Sequence, residues 1–207
     1  MPSGCPPGKS APQMTMDSAS AYEARAREFL RGRDQSPIGA HVVDQWSRTL
    51  GRGSAVIELA CGGGYPVTQV LHAAGLNLWA IDSSPTLVTE FRRRFPAIPI
   101  RCEKVQESDF FGRNYDAVVA IGLLFLLPEA DQLSLIAKVS KILVPGGRFL
   151  FTASIEAGNW IDMNTDIQCQ SLGQANYEAC LSAAGFQVTS TFIDEGQNNY
   201  YDVERVD

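Results

Sequence analysis

The tightest constraint on what this chain can fold into is an alternation. Short apolar runs stand at Ala55–Ala60, Leu78–Ile81, Pro99–Cys102, Tyr115–Ala120 and Arg148–Ala153. Stretches of helical composition at Pro66–Ala74, Pro85–Phe95 and Pro128–Leu143 lie between them. Apolar runs this short are buried on both faces, and helices between them supply the cover, so the order predicts a parallel sheet wound on both sides. The last third changes character. Leu172–Ala184 reads as a helix ended by Gly185, and Gln187–Ile193 and Tyr200–Val206 read as strands. Their six-residue link is short enough for an antiparallel pair. The expected fold is α/β, doubly wound: a mostly parallel seven-stranded sheet with a C-terminal antiparallel strand.

Ahead of the sheet, Ala19–Arg31 reads as one helix with Tyr22, Ala26 and Phe29 on a stripe, and Pro37–Leu50 as a second. Residues 17–50 are thus expected to form a helical cap on a single domain spanning 17–207. Residues 1–16, rich in Pro, Ser and Gly, are expected to be a mobile tail. Within them Pro7-Gly8-Lys9-Ser10 matches only the end of a phosphate loop and has no strand before it.

Composition narrows the classes. With 45% hydrophobic and 19% charged residues among 207, the chain is globular. Its longest apolar stretch, Ala117–Leu127, is too short to span a bilayer, and no secretory signal is visible, so a cytoplasmic setting away from membranes is expected. A net charge of −6 argues against a broad nucleic-acid footprint. The five cysteines include no Cys-x-x-Cys pair and only two histidines accompany them, so no metal site is expected.

The segment Val56–Pro66 runs from a buried strand through Gly62-Gly63-Gly64 into a helix. Glycines there make a tight turn and let a ligand approach the backbone, at the carboxyl end of a strand where open α/β sheets bind ligands. Asp82 ends the next strand, placed to accept the hydroxyls of a ribose, while Ser84 is the better cap for the helix that follows. Glu58, on an otherwise apolar strand, needs a donor facing it. A nicotinamide dinucleotide also binds at such a turn, but the third glycine of its Gly-x-Gly-x-x-Gly pattern is Val67 here.

Glu58-Leu59-Ala60-Cys61-Gly62-Gly63-Gly64 resembles the first motif of class I S-adenosylmethionine-dependent methyltransferases. Asp82 is similar to their ribose-binding acid, Tyr115–Ala120 to their fourth strand, and Leu143–Phe149 to their turn into the fifth. The resemblance implies S-adenosylmethionine as cofactor and S-adenosylhomocysteine as product. It implies that the backbone around Ala60, Gly62 and Gly64 cradles the methionine part, that Asp82 takes the ribose with Ser83 and Leu87 beside the adenosine, and that Glu58 is among the cofactor-binding residues. Val105 and Gln106 would flank adenine, and Ile121 and Gly122 would face the cofactor. Arg33 is a candidate for the cofactor carboxylate, with an exposed salt bridge as its alternative.

Displacement at a methyl on a sulfonium depends chiefly on proximity and alignment, with a base required only where the acceptor must lose a proton. The candidate catalytic groups are Tyr22 and His41; His72 is expected to face solvent. Acceptor contacts are expected from Tyr22, Phe125, Trp160, Tyr200 and Tyr201, with Trp160 in a polar loop, Gly158–Gln168. Phe29 and Phe125 also suit a core. The turn Ile121-Gly122-Leu123-Leu124 lacks the Pro-Pro-aromatic pattern of nucleobase methylation, and no oxygen ligands for a metal stand nearby, leaving a small neutral or weakly polar acceptor. Cys169 and Cys180 raise the idea of thiolate capture of a soft element. Two other functions stay open: a nicotinamide-dependent oxidoreductase, and a non-catalytic domain that binds the cofactor.

Overall fold

The computed structural model describes residues 17–206. The expected tail and its Pro7–Ser10 segment lie outside the described residues. Seven strands form one sheet in the order β3-β2-β1-β4-β5-β9-β8: β1 Ala55–Leu59, β2 Asn77–Asp82, β3 Ile100–Cys102, β4 Tyr115–Ala120, β5 Leu143–Thr152, β8 Phe186–Ile193 and β9 Asn199–Arg205. The pairs β1–β2, β1–β4, β2–β3 and β4–β5 are parallel, while β9 runs antiparallel between β5 and β8. The fold is therefore the doubly wound, mostly parallel sheet that the alternation predicts, and its strand order reverses at β1/β4.

Successive side chains on a strand point to opposite faces, which divides the core into two layers. Ile57, Leu59, Val118, Phe149 and Phe151 pack against α6 (Glu129–Ile142) and α7 (Gln174–Ala183). Val56, Ala80, Val119 and Leu150 pack against α3 (Ala40–Ser47), α4 (Val67–Ala73) and α5 (Pro85–Arg94). Trp46 of α3 is locked in place by its indole N–H, which donates to buried Asp202 at 2.9 Å.

Three local expectations need correction. The first helix is two, α1 (Ser18–Ala24) and α2 (Ala26–Arg33), broken at Arg25 (φ −113°, ψ 14°), whose guanidinium reaches away to Asp166 and the Asn164 carbonyl. Helix α3 begins at Ala40, not Pro37, because Gly39 takes φ +84° to pass the Tyr200 hydroxyl, which would collide with any Cβ there. The stretch Gly158–Gln168 is not all loop: β6 (Gly158–Ile161) and β7 (Gln168–Ser171) pair as a small antiparallel hairpin.

Candidate active site

A forked cavity opens at the carboxyl ends of β1, β2 and β4, beside the reversal of strand order where open α/β sheets bind ligands. One branch, about 920 Å³, is lined by Val105, Gln106, Lys104 and Leu127 on one side and by the hairpin residues Asn159, Gln168 and Gln170 on the other. The second, about 280 Å³, runs beneath α1 and α2, walled by Tyr22, Phe29 and Arg33. Ser18, Ala19, Ala60, Asp82 and Ser83 line both.

The floor is the glycine turn. Ala60 sits at φ +56° and Gly62 at φ +57°, left-handed backbone that an alanine adopts at a cost of about 1 kcal/mol or more. Asp82 braces this turn from the next strand: its carboxylate accepts from Gly62 N and Ser84 N, both at 2.8 Å. Burial pushes its carboxyl above the usual range, and those two N–H groups oppose the rise. Ser84, not Asp82, caps α5 through Leu87 N at 3.1 Å, as the sequence implies. The donor facing Glu58 is Thr68 of α4, whose hydroxyl lies 2.6 Å away. Burial pushes Glu58 up to about 8, with Thr68 opposing, so the group is a neutral acid at neutral pH.

The roof is α1 and α2. Phe29 lies over Gly62 and Leu30 over Gly63, where a Cβ would strike it. Arg33 donates both terminal nitrogens to Ile38 O at 3.1 Å and makes no ion pair among the described residues. Burial works against its charge, offset in part by the Asp194 carboxylate nearby. It is a half-buried cation facing a cavity, not an exposed salt bridge. Tyr22 packs edge-on to Phe29 at 5.3 Å between ring centres. Burial and the Asp162 carboxylate raise its phenol beyond the range in which a tyrosine serves as a base at neutral pH. Tyr200 is likewise held protonated by burial and donates to Asp194 at 2.8 Å.

Of the residues named from sequence, Arg33, Ala60, Gly62, Asp82, Ser83, Leu87, Ile121 and Gly122 line the smaller branch, with Tyr22, Phe125 and Tyr200. Val105 and Gln106 line the larger. Five others are elsewhere. Glu58 is turned under the floor toward Thr68. Gly64, at φ +85°, faces the Phe91 and Phe95 rings. His41 is exposed on α3 and cannot act on anything in the cavity. Trp160 stands behind the wall with its ring 5.6 Å from Phe125. Tyr201 is in the opposite core layer, stacked on Phe151 at 5.0 Å. Phe29 and Phe125 are half-buried wall residues, not core. Cys169 is buried and its thiol is pushed up to about 11, first by burial, so it offers no thiolate for a soft element. Sequence reasoning missed Thr152, Asp162, Asn164 and Asn198, all on the smaller branch. The only signal for Asp162 was an acid inside the polar stretch after Trp160.

Residues 56–147, covering the glycine turn, Asp82 and β4, match a family model described as a methyltransferase domain. A 116-residue segment is 22% identical to a tRNA U34 carboxymethyltransferase of Idiomarina loihiensis, over 52% of this chain and 35% of that protein, so the chain spans about a third of that relative. The fold is similar to the CcbJ methyltransferase of Streptomyces caelestis (TM-score 0.73, 15% identity, 92% of this chain and 100% of that one). It is also similar to the N-methyltransferase NodS of Bradyrhizobium japonicum in complex with S-adenosyl-L-homocysteine (TM-score 0.70, 17% identity, 90% and 99%). Around the matched methyltransferase-domain segment the turn, the acid at the end of β2 and the antiparallel β9 are all in place, in a fold shared with these solved methyltransferases.

Proposed function

We propose that this protein, as a cytoplasmic enzyme, binds S-adenosylmethionine in the forked cavity and directs its methyl group to a small-molecule acceptor. The observation that carries this reading is Arg33: a half-buried guanidinium without an anionic partner among the described residues, facing a cavity floored by Ala60 and Gly62. A half-buried cation is costly unless an anion meets it, and the cofactor's carboxylate is such an anion. Asp82 takes the ribose, Val105 and Gln106 flank the adenine, and Ile121 and Gly122 border the methionine chain. When bound, the cofactor supplies a methyl on a sulfonium, already a good leaving group. The protein's part is alignment and exclusion of water: Tyr22 and Phe29 close the roof, and Phe125 and Tyr200 hold the acceptor near the methyl, worth potentially several kcal/mol. Residues 17–207 act in this reading as one methyltransferase domain roofed by residues 17–50. No described helix is long and apolar enough to cross a membrane.

The test is calorimetric binding of S-adenosylhomocysteine, with NAD as comparison. Arg33→Gln is the cleaner control, because Asp82→Ala also unbraces Gly62 and Ser84. Losing a charge-assisted contact of about 1.5–3 kcal/mol lowers affinity by roughly 10- to 100-fold. Binding of NAD alone would replace the reading with the oxidoreductase; binding of neither would leave the glycine turn a structural connection.

A further inference from the structure

Three charged side chains wall the smaller branch: Arg33, Asp82 and Asp162. The proposed cofactor accounts for the first two and leaves Asp162 without a role. Asp162 is 7% exposed. It opens the turn between β6 and β7, where its N–H donates to Ile167 O at 2.8 Å and its carbonyl accepts from Asp166 N at 2.9 Å. Thr165 donates to Oδ2 at 2.5 Å. The rest of the carboxylate faces the cavity and the Tyr22 hydroxyl, whose phenol its charge helps keep protonated. A buried carboxylate met only by neutral hydroxyls, those of Thr165 and Tyr22, is poorly compensated, and a cation beside it removes the deficit. Phe125 and Tyr22 line the same branch and present rings, which attract organic cations. The larger branch also has more acid than base on its wall: Glu103, Glu107 and Asp131 face it, whereas its Lys104 is paired with Asp17.

We propose that Asp162 is the residue that recognises the acceptor, and that the acceptor is an amine. This rests on the reading of the cavity as a methyl-transfer site. Asp162 accepts the amine's N–H groups and turns its lone pair toward the methyl. The amine binds as its ammonium and first releases one proton to water through the open mouth; the freed nitrogen lone pair then forms the new N–C bond while the S–C bond breaks with its electrons kept by sulfur, so the positive charge passes from sulfur to the methylated nitrogen. A fixed anion at the nitrogen stabilises the charge as it arrives. Acceptors bearing a carboxylate or phosphate beside the reacting atom are repelled by the same group.

The test uses binding, independent of turnover. Protein saturated with S-adenosylhomocysteine is titrated calorimetrically with benzylamine, benzyl alcohol and benzoate, at a pH where the amine is protonated. The expected order is amine at least about tenfold tighter than alcohol, with benzoate weakest. D162N, which keeps the oxygen facing Thr165, should erase the amine preference while S-adenosylhomocysteine affinity stays within about twofold. Equal binding of amine and alcohol, preference for benzoate, or no binding of any of the three overturns the proposal. So does a D162N protein that loses S-adenosylhomocysteine affinity, which gives the carboxylate to the cofactor. A wild-type chain that fails to bind S-adenosylhomocysteine at all removes the underlying methyl-transfer reading instead, so the two failures are separable. Selectivity in the wild type decides the matter even if D162N does not fold.

Discussion

Replacing Glu58 by Gln tests the claim that a neutral acid underlies the glycine turn. Glu58 is 5% exposed, its one side-chain hydrogen-bonding partner among the described residues is the Thr68 hydroxyl, and its pKa is pushed from 4.5 to about 8 by burial first, with Thr68 and Arg33 opposing and Asp82 adding to the rise. Between about pH 4.5 and 8 the unfolded chain ionises this group while the folded protein keeps its proton. The unfolded state then binds fewer protons, so stability falls as pH rises through that window and is level on either side. At about 1.4 kcal/mol per pH unit the full displacement is worth up to roughly 5 kcal/mol. Glutamine has nearly the same shape, can accept from Thr68 and cannot ionise. E58Q should therefore match the wild type near pH 5 to within about 1 kcal/mol and exceed it by several kcal/mol near pH 9. Urea unfolding followed by circular dichroism at a series of pH values gives both curves. The rise at Asp82 is common to both proteins and largely cancels in the difference. Parallel curves for the two proteins from pH 5 to 9 would refute the reasoning and mean that Glu58 is ionised in the fold, paired with Arg33.

Ala60→Gly relieves a left-handed alanine at φ +56° and should raise stability by up to about 1 kcal/mol, read as a higher Tm; a lower Tm would show that the alanine methyl contributes more by packing than its backbone costs. Gly64→Ala should cost about 2–4 kcal/mol in urea unfolding, because its Cβ would fall 2.9 Å from Phe95 Cδ2 and 3.1 Å from Phe91 Cδ2 at φ +85°; a loss of ligand affinity without loss of stability would return this glycine to the binding site. Amides of α1 and α2 should exchange with deuterium faster than those of β1 and β4. S-adenosylhomocysteine at about 100 times its Kd should slow them roughly hundredfold, the effect of about 2.7 kcal/mol. Unchanged exchange there would mean that the ligand leaves without the roof lifting.

What was legible in the sequence is what local chemistry determines. The inner parallel strands β1, β2, β4 and β5 are mostly apolar because both their faces are covered, so each stands out from its neighbours without tertiary information, whereas the edge strand β3 is only partly buried. Ala60, Gly62 and Asp82 are legible because a strand end and a turn fix where their backbones lie. The hairpin was missed because every residue of β6 is exposed, leaving no alternation of apolar and polar positions to mark a strand. The late start of α3 was missed because its cause is Tyr200, far along the chain. Gly64 shares its neighbours' composition yet serves ring packing, a distinction that only the position of Phe95 makes. Asp162 had no periodic or motif context at all; its importance comes from where the hairpin folds back, beside Tyr22 from the opposite end of the chain.

The N-terminal cap divides into two parts held by different physics. Helix α3 is fixed in the core by Val43 and Trp46, and the Asp202 that holds Trp46 is itself paired with Arg148. Helices α1 and α2 bury little beyond Ala21 and Ala26, and four polar ties hold them. Asp17 pairs with Lys104, Glu23 takes hydrogen bonds from Ser84 and Thr86, Arg25 pairs with Asp166, and Asp34 pairs with Arg94 at 2.6 Å. Ties this exposed contribute about 0–1 kcal/mol each, so the two helices can separate from the sheet at a small fraction of the cost of unfolding. Three of the ties end beside cavity residues: Lys104 next to Val105, Ser84 next to Ser83, and Asp166 on the turn that begins at Asp162. In the proposed reading, a cofactor against Val105 and Ser83 and an acceptor against Asp162 steady the attachment points of the roof, and the roof in turn carries Tyr22, Phe29 and Arg33 to them. Closing and binding thus draw on the same contacts, which lets a lightly held pair of helices shield the cavity from water without blocking release.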